Sequence, residues 1–137
     1  MHKEIEEGSC LQLDFKKIDK IAAAGGGVIP VAVQHADTLE VILVAYTNEI
    51  ALRASVESRR LVLWSTSRNE LWEKGATSGE TFELVEARVN CEQNSLVYRV
   101  RPCRGNICHT RNREGTPRNC YYRRINLDTL TLENLDP

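Results

Sequence analysis

The chain has 137 residues, 42% of them hydrophobic and 27% charged, with a formal net charge of −1. That length admits one domain around one core, and the balance is that of a soluble globular chain rather than a disordered one. No apolar stretch approaches the roughly 20 residues that cross a bilayer, and the start, Met1-His2-Lys3-Glu4-Ile5-Glu6-Glu7, lacks the layout of a signal peptide, so the expected location is cytoplasmic.

Residues 1–12 read as a charged, flexible leader, residues 13–125 as the domain, and residues 126–137 as a tail. Leu11, Phe15, Ile18 and Ile21 fall at roughly helical spacing, which predicts a short helix within 11–24 that ends at Gly25-Gly26-Gly27. From Val28 the pattern changes to a short apolar run predicted as a strand, with Pro30 pointing to an edge or an early strand position. A turn at Ala36-Asp37-Thr38 leads to a second apolar strand over 41–46, and the two predict an antiparallel hairpin. Thr47 or Asn48 can cap a helix running to about Ser58, with Glu49 in its first turn and Ile50, Leu52 and Val56 available for the core.

Leu61 to Thr66 predicts a third strand, and the polar stretch from Ser65 to Gly79 a loop. Thr81 to Val89 is β-branched and extended. After a turn around Asn90–Asn94, Leu96, Tyr98 and Val100 alternate with Val97, Arg99 and Arg101, the clearest period-two signal in the chain. A long loop over 102–119 and a closing strand within 120–125 complete the expectation of a strand-rich α+β domain with one main helix.

Five cysteines in a chain without an export signal point to metal binding or catalysis more than to disulfides. A buried, inert thiol is the plain reading of Cys10 and Cys103. Cys91, Cys108 and Cys120 instead lie in polar, turn-prone settings. Three protein ligands and one open position is the layout of a catalytic zinc site, and thiolates suit that ion. The spacing has no CxxC pair, so by itself it leaves buried thiols as a competing reading. His109 follows Cys108, and is either a proton carrier near neutral pH, a fourth ligand, or a loop histidine.

From Arg99 to Arg124 there are eight arginines and a single acid, Glu114, with Tyr98, Tyr121 and Tyr122 close by. A phosphate-bearing substrate, a nucleic-acid surface and ordinary solvated charge all fit that composition. The Ser65–Gly79 stretch offers hydroxyls, Arg68, Lys74 and small residues, parts for a phosphate or ribose cradle, without any P-loop or Rossmann pattern.

Four blocks in order resemble the phosphoribosyl-AMP cyclohydrolase family of histidine biosynthesis: Val28-Ile-Pro-Val-Ala-Val-Gln34; Val41-Ile-Leu-Val-Ala-Tyr-Thr-Asn-Glu-Ile-Ala-Leu52; Trp64-Ser-Thr-Ser-Arg-Asn-Glu-Leu-Trp-Glu-Lys-Gly-Ala-Thr-Ser-Gly79; and Cys108-His-Thr110 with Cys120-Tyr-Tyr-Arg123. The resemblance implies zinc-dependent hydrolysis of the N1–C6 bond of a phosphoribosylated adenine nucleotide by an intertwined homodimer. It implies zinc held by Cys91 of one chain with Cys108 and Cys120 of the other, and His109 acting beside the metal. Trp64, Ser65, Ser67, Arg68, Trp72, Lys74, Thr77, Ser78 and Gly79 would help form the nucleotide site. A divergent paralogue that hydrolyses or deaminates another purine-like nucleotide is the alternative, and a non-catalytic zinc module binding a nucleotide or nucleic acid a further one.

The family also binds magnesium through an Asp-Cys-Asp-x-Asp turn. Here the turn reads Asn90-Cys91-Glu92-Gln93-Asn94, which weakens a site for a cation that wants anionic oxygens. The interval from Cys108 to Cys120 is longer than the family pattern, and Asn112–Pro117 is expected to bulge beside the site.

Overall fold

The computed structural model describes residues 2–13, 15–17, 21, 27–75, 81–104 and 110–137. Among these the elements run α1 (His2–Glu7), β1 (Ile29–His35), β2 (Val41–Thr47), α2 (Glu49–Ser58), β3 (Val62–Ser65), β4 (Glu70–Glu73), β5 (Phe82–Val89), β6 (Leu96–Pro102), β7 (Arg123–Ile125) and β8 (Leu132–Asn134). The class is the strand-rich α+β expected, and the described residues hold the main helix, α2, together with α1 in the leader. Half of the residues of the helix expected within 11–24 lie outside the described residues. Among the described residues no helix is long and apolar enough to cross a membrane.

The main sheet has the order β2-β1-β6-β5. β1 and β2 form the expected antiparallel hairpin, with Val31 opposite Ala45. On its other side β1 takes β6 in parallel, from Val31↔Leu96 to His35↔Val100. β1 is therefore an inner strand, and Pro30 is tolerated because it precedes the first residue of that parallel ladder. The period-two pattern places Val31, Val33, Tyr98 and Val100 side by side, each fully buried. Phe82 and Leu84 of β5 join them, as do Ile42, Leu61 and Leu63, in one core.

Asn48 caps α2, its side chain accepting from the Ala51 N–H at 2.9 Å. Ala51 and Ser55, one turn apart, are the buried positions, and Leu52 packs against the core beside them. Ile50 and Val56 were expected inside, but lie about 100° around the helix from that face and are 59% and 43% exposed. Ser55 Oγ donates to the Val62 carbonyl at 2.7 Å and accepts from the Val62 N–H at 3.0 Å, fastening α2 to β3.

Three further expectations are revised. The stretch after Ser65 is not all loop: β4 pairs antiparallel with β3, Leu63 opposite Trp72, across a turn in which Asn69 is left-handed at φ 54°. Glu70 and Glu73 hid this strand, because a two-stranded ribbon can carry charge on its outer face. The tail contains β8, which pairs with β7 at Arg124↔Glu133. The leader holds α1, and is tied down: the Leu132 N–H donates to the Ser9 carbonyl at 2.9 Å, Arg123 Nη1 to the Gly8 carbonyl at 3.1 Å, and the Tyr122 hydroxyl to the Glu6 carbonyl.

Candidate functional site

Cys91 is exposed and sits in the turn joining β5 to β6. The Gln93 N–H donates to the Asn90 carbonyl at 3.0 Å, and Gln93 is left-handed at φ 55°, the geometry of a tight turn followed by an αL residue. The side chains of Asn90 and Asn94 complete the closure. Asn90 Oδ1 accepts from the N–H groups of Asn94 at 2.9 Å and Ser95 at 3.0 Å, and Asn90 Nδ2 donates to Asn94 Oδ1 at 2.7 Å. Glu92 is exposed at the tip.

Cys120 lies on the far side of the sheet. It is also exposed, and borders a cleft of about 340 Å³ lined in addition by Cys10, Leu11, Tyr121 and Leu132. Its neighbour Asn119 donates from Nδ2 to the Val41 carbonyl at 3.2 Å, which fixes this segment against the outer edge of β2. The Tyr121 phenol is raised above its ordinary pKa, first by burial and then by the charge of Cys120 beside it.

The two thiols are therefore separated in two directions. Cys91 precedes β6, whose first residue pairs with Val31, whereas Asn119 meets β2 at Val41, whose partner on β1 is Gln34. Between β2 and β6 stands β1, about 10 Å of sheet in the hydrogen-bonding direction alone. Two thiolates on one ion, each at about 2.3 Å from it, cannot span that gap within one chain. Cys108 and His109 lie outside the described residues, as do Thr77, Ser78 and Gly79. Among the described residues no three His, Cys, Asp or Glu side chains form a metal-holding group.

The described part of the nucleotide block is the β3–β4 hairpin. Ser65 Oγ lies 3.3 Å from Ser67 Oγ and accepts from the Arg68 N–H at 3.3 Å, so the hydroxyls cluster at the hairpin tip. Trp64 is half-buried on the face opposite Leu63, while Trp72 packs against the core with Lys74 Nζ 5.8 Å from its ring centroid.

The arginine-rich end is largely spent on the fold. Arg99 donates to Gln34 and Glu86, Arg101 to both oxygens of Asp37, Arg111 to the Gly115 carbonyl, and Arg124 to Glu133. The Arg101 guanidinium holds the Asp37 carboxyl below its ordinary pKa. Arg118, 3% exposed, is bonded to Glu7 and to the Asp136 carbonyl and lies 4.5 Å from the Tyr122 ring centroid. Pairing within the fold accounts for these residues, a use outside the three readings of this composition.

The Asn112–Pro117 stretch forms a closed turn. The Asn112 N–H donates to the Thr116 carbonyl and the Arg118 N–H to the Thr110 carbonyl, while Asn112 Nδ2 reaches Asp136 Oδ1 at 3.0 Å. Cys10 and Cys103, read as buried thiols, are exposed. Cys103 Sγ accepts from Arg60 Nη1 at 3.1 Å at the edge of a cleft of about 500 Å³ that Arg59 and Arg101 also line. Arg60 lies 43 residues away in sequence, so nothing beside Cys103 marks that polar contact.

Fold and site together define a small strand-rich α+β domain with exposed thiols on opposite edges of one sheet. The profile of the family described as phosphoribosyl-AMP cyclohydrolase matches residues 43–122. The phosphoribosyl-AMP cyclohydrolase of Hyphomonas neptunium is 44% identical over 99 residues, 72% of this chain and 71% of that protein. That of Archaeoglobus fulgidus is 41% identical over 102 residues, 74% of this chain and 89% of its own. The histidine biosynthesis bifunctional protein HisIE of Thermus thermophilus is 43% identical over 99 residues, which are 72% of this chain and 44% of that longer protein. The chain belongs to the phosphoribosyl-AMP cyclohydrolase family, a family of hydrolases acting on a cyclic amidine bond.

Two metals are implied by the resemblance, and the residues treat them differently. Exposed thiols outside any disulfide, in polar turns, are the donors a borderline-soft ion takes, so Cys91 and Cys120 fit zinc. The side-chain oxygens of Asn90 and Asn94 do not fit magnesium, and Glu92 is the single carboxylate left in the turn. Both lone pairs of Asn90 Oδ1 are taken by backbone N–H groups, and Asn94 Oδ1 faces an amide donor.

Proposed function

We propose that this chain is a zinc-dependent hydrolase that opens the adenine ring of phosphoribosyl-AMP at N1–C6, as in histidine biosynthesis, and works as a homodimer. The observation that carries the activity is family membership over most of the chain, with relatives of that name more than 40% identical. Zinc rests on the exposed thiols. The dimer is supported by the separation of Cys91 from Cys120, which a second copy resolves by supplying Cys91 to the Cys108–Cys120 side. Apolar side chains uncovered in the single chain add to that case: Val41 and Val44 on β2, Ile50 and Val56 on α2, and Val85 and Val89 on β5.

In the reaction, water adds across N1–C6, its oxygen ending on C6 and a proton on N1 as the ring opens. A zinc ion held by Cys91, Cys108 and Cys120 supplies the Lewis acidity that lowers the pKa of water toward about 7. His109 is assigned the proton transfer, its imidazole being the side chain that titrates near neutrality. Ser65, Ser67 and Arg68 at the hairpin tip, with Lys74, are assigned to phosphate and ribose hydroxyls, as are Thr77, Ser78 and Gly79, which follow in sequence.

The test is ultraviolet-monitored turnover of phosphoribosyl-AMP by metal-analysed protein, beside Cys91→Ser and Cys120→Ser. Loss of bound zinc and of turnover together in both variants is expected. A zinc-loaded wild-type chain inactive on this nucleotide moves the activity to another purine-like substrate. Full zinc and full turnover in both variants overturn the ligand assignment.

A further inference from the structure

We propose that the Asn90–Asn94 amide bridge takes the place of a divalent cation in closing the turn that presents Cys91. The inference goes beyond the proposed activity and stands on the hydrogen bonds of the turn. Asn90 Nδ2 is 2.7 Å from Asn94 Oδ1, a donor facing an acceptor. Two carboxylates placed there would face each other at the same distance and repel, and a cation between them would offset that repulsion. With amides, one N–H does that work.

The rest of the turn agrees. Asn90 Oδ1 is saturated by the N–H groups of Asn94 and Ser95, and the Asn90 carbonyl accepts from Gln93. The Asn90 N–H in turn donates to the Ser95 carbonyl at 3.3 Å, so both ends of the turn are paired before any ion arrives. A magnesium ion, which demands near-octahedral oxygen ligands and sheds its water reluctantly, would have to displace a backbone N–H from Asn90 Oδ1 to use that oxygen. Asn90 and Asn94 are thus positioning residues. Their side chains bond within the turn, and hold the backbone from which the Cys91 thiol projects.

The test compares the zinc-loaded full chain with Asn90→Asp/Asn94→Asp, following thermal unfolding and direct titration with magnesium chloride against a control salt of equal ionic strength. Wild-type Tm should not respond to magnesium beyond the control. The double variant should unfold roughly 3–5 °C lower without magnesium, regain that loss at millimolar magnesium, and show saturable binding. Its zinc should be removed faster by a competing chelator when magnesium is absent. A magnesium-dependent rise in wild-type Tm, or a double variant indifferent to magnesium, overturns the proposal. Because stability and zinc retention are read rather than turnover, failure on phosphoribosyl-AMP leaves this result independent.

Discussion

Ser55 shows how much one hydroxyl can hold. Fully buried, it satisfies both the N–H and the carbonyl of Val62, which begins β3 and has left the helix that carries Ser55. Ser55→Ala removes one small group and strands two backbone groups away from water. The expected cost is about 2 kcal/mol, seen as a Tm roughly 5–10 °C lower. Ser55→Gly should be worse, since it adds helix-interior glycine to the same loss. A variant within a degree of wild type would show that water or a neighbour replaces the hydroxyl. Nothing in the sequence marks this serine, because a buried serine and a solvated one read alike until the partner strand is placed. The same blindness affected Cys103, whose partner Arg60 is remote in sequence. Asn90 was legible as a departure from a family turn, but not as a hydrogen-bonded replacement, since only geometry shows which oxygens are taken.

At the scale of elements, signals carried by neighbouring residues were legible and those carried by distant ones were not. α2 announced itself through Asn48 and Glu49, and of the two caps the sequence offers, Thr47 and Asn48, the structure uses Asn48. Asn48→Ala should cost about 1 kcal/mol and Asn48→Asp much less, because the aspartate keeps the oxygen acceptor and favours the positive end of the helix. Urea unfolding reads this as a lower midpoint with an unchanged m value; a changed slope would mean that α2 had frayed rather than lost one bond. β6 was equally plain, its alternation filling the core with Tyr98 and Val100. Its parallel partnership with β1 left no local trace, since it joins strands far apart in sequence. β4 and β8 were missed for another reason. Each is short and pairs in a two-stranded ribbon, so neither needs an alternating apolar face.

The whole molecule raises the question that a single chain leaves open: how Cys91 and Cys120, on the proposed reading, would serve one ion from opposite edges of a sheet. On the proposed reading each dimer has two sites, each taking Cys91 from one copy and Cys108 with Cys120 from the other. That arrangement has a consequence no single-chain site shares. Cys91→Ser and Cys120→Ser should each be inactive alone, both sites of each homodimer lacking a ligand. A mixed dimer restores one site, in which the Cys120→Ser chain contributes its intact Cys91 and the Cys91→Ser chain contributes Cys108 and Cys120. Its other site is doubly defective. When equal amounts are unfolded, mixed and refolded with zinc, about half the dimers are mixed. Half of their sites are whole, so turnover should recover to about a quarter of wild type, with zinc content following it. Sites built within one chain predict no recovery, because every chain in the mixture then carries a broken site. The distinction survives whichever purine nucleotide proves to be the substrate, since bound zinc reports it as well as turnover does.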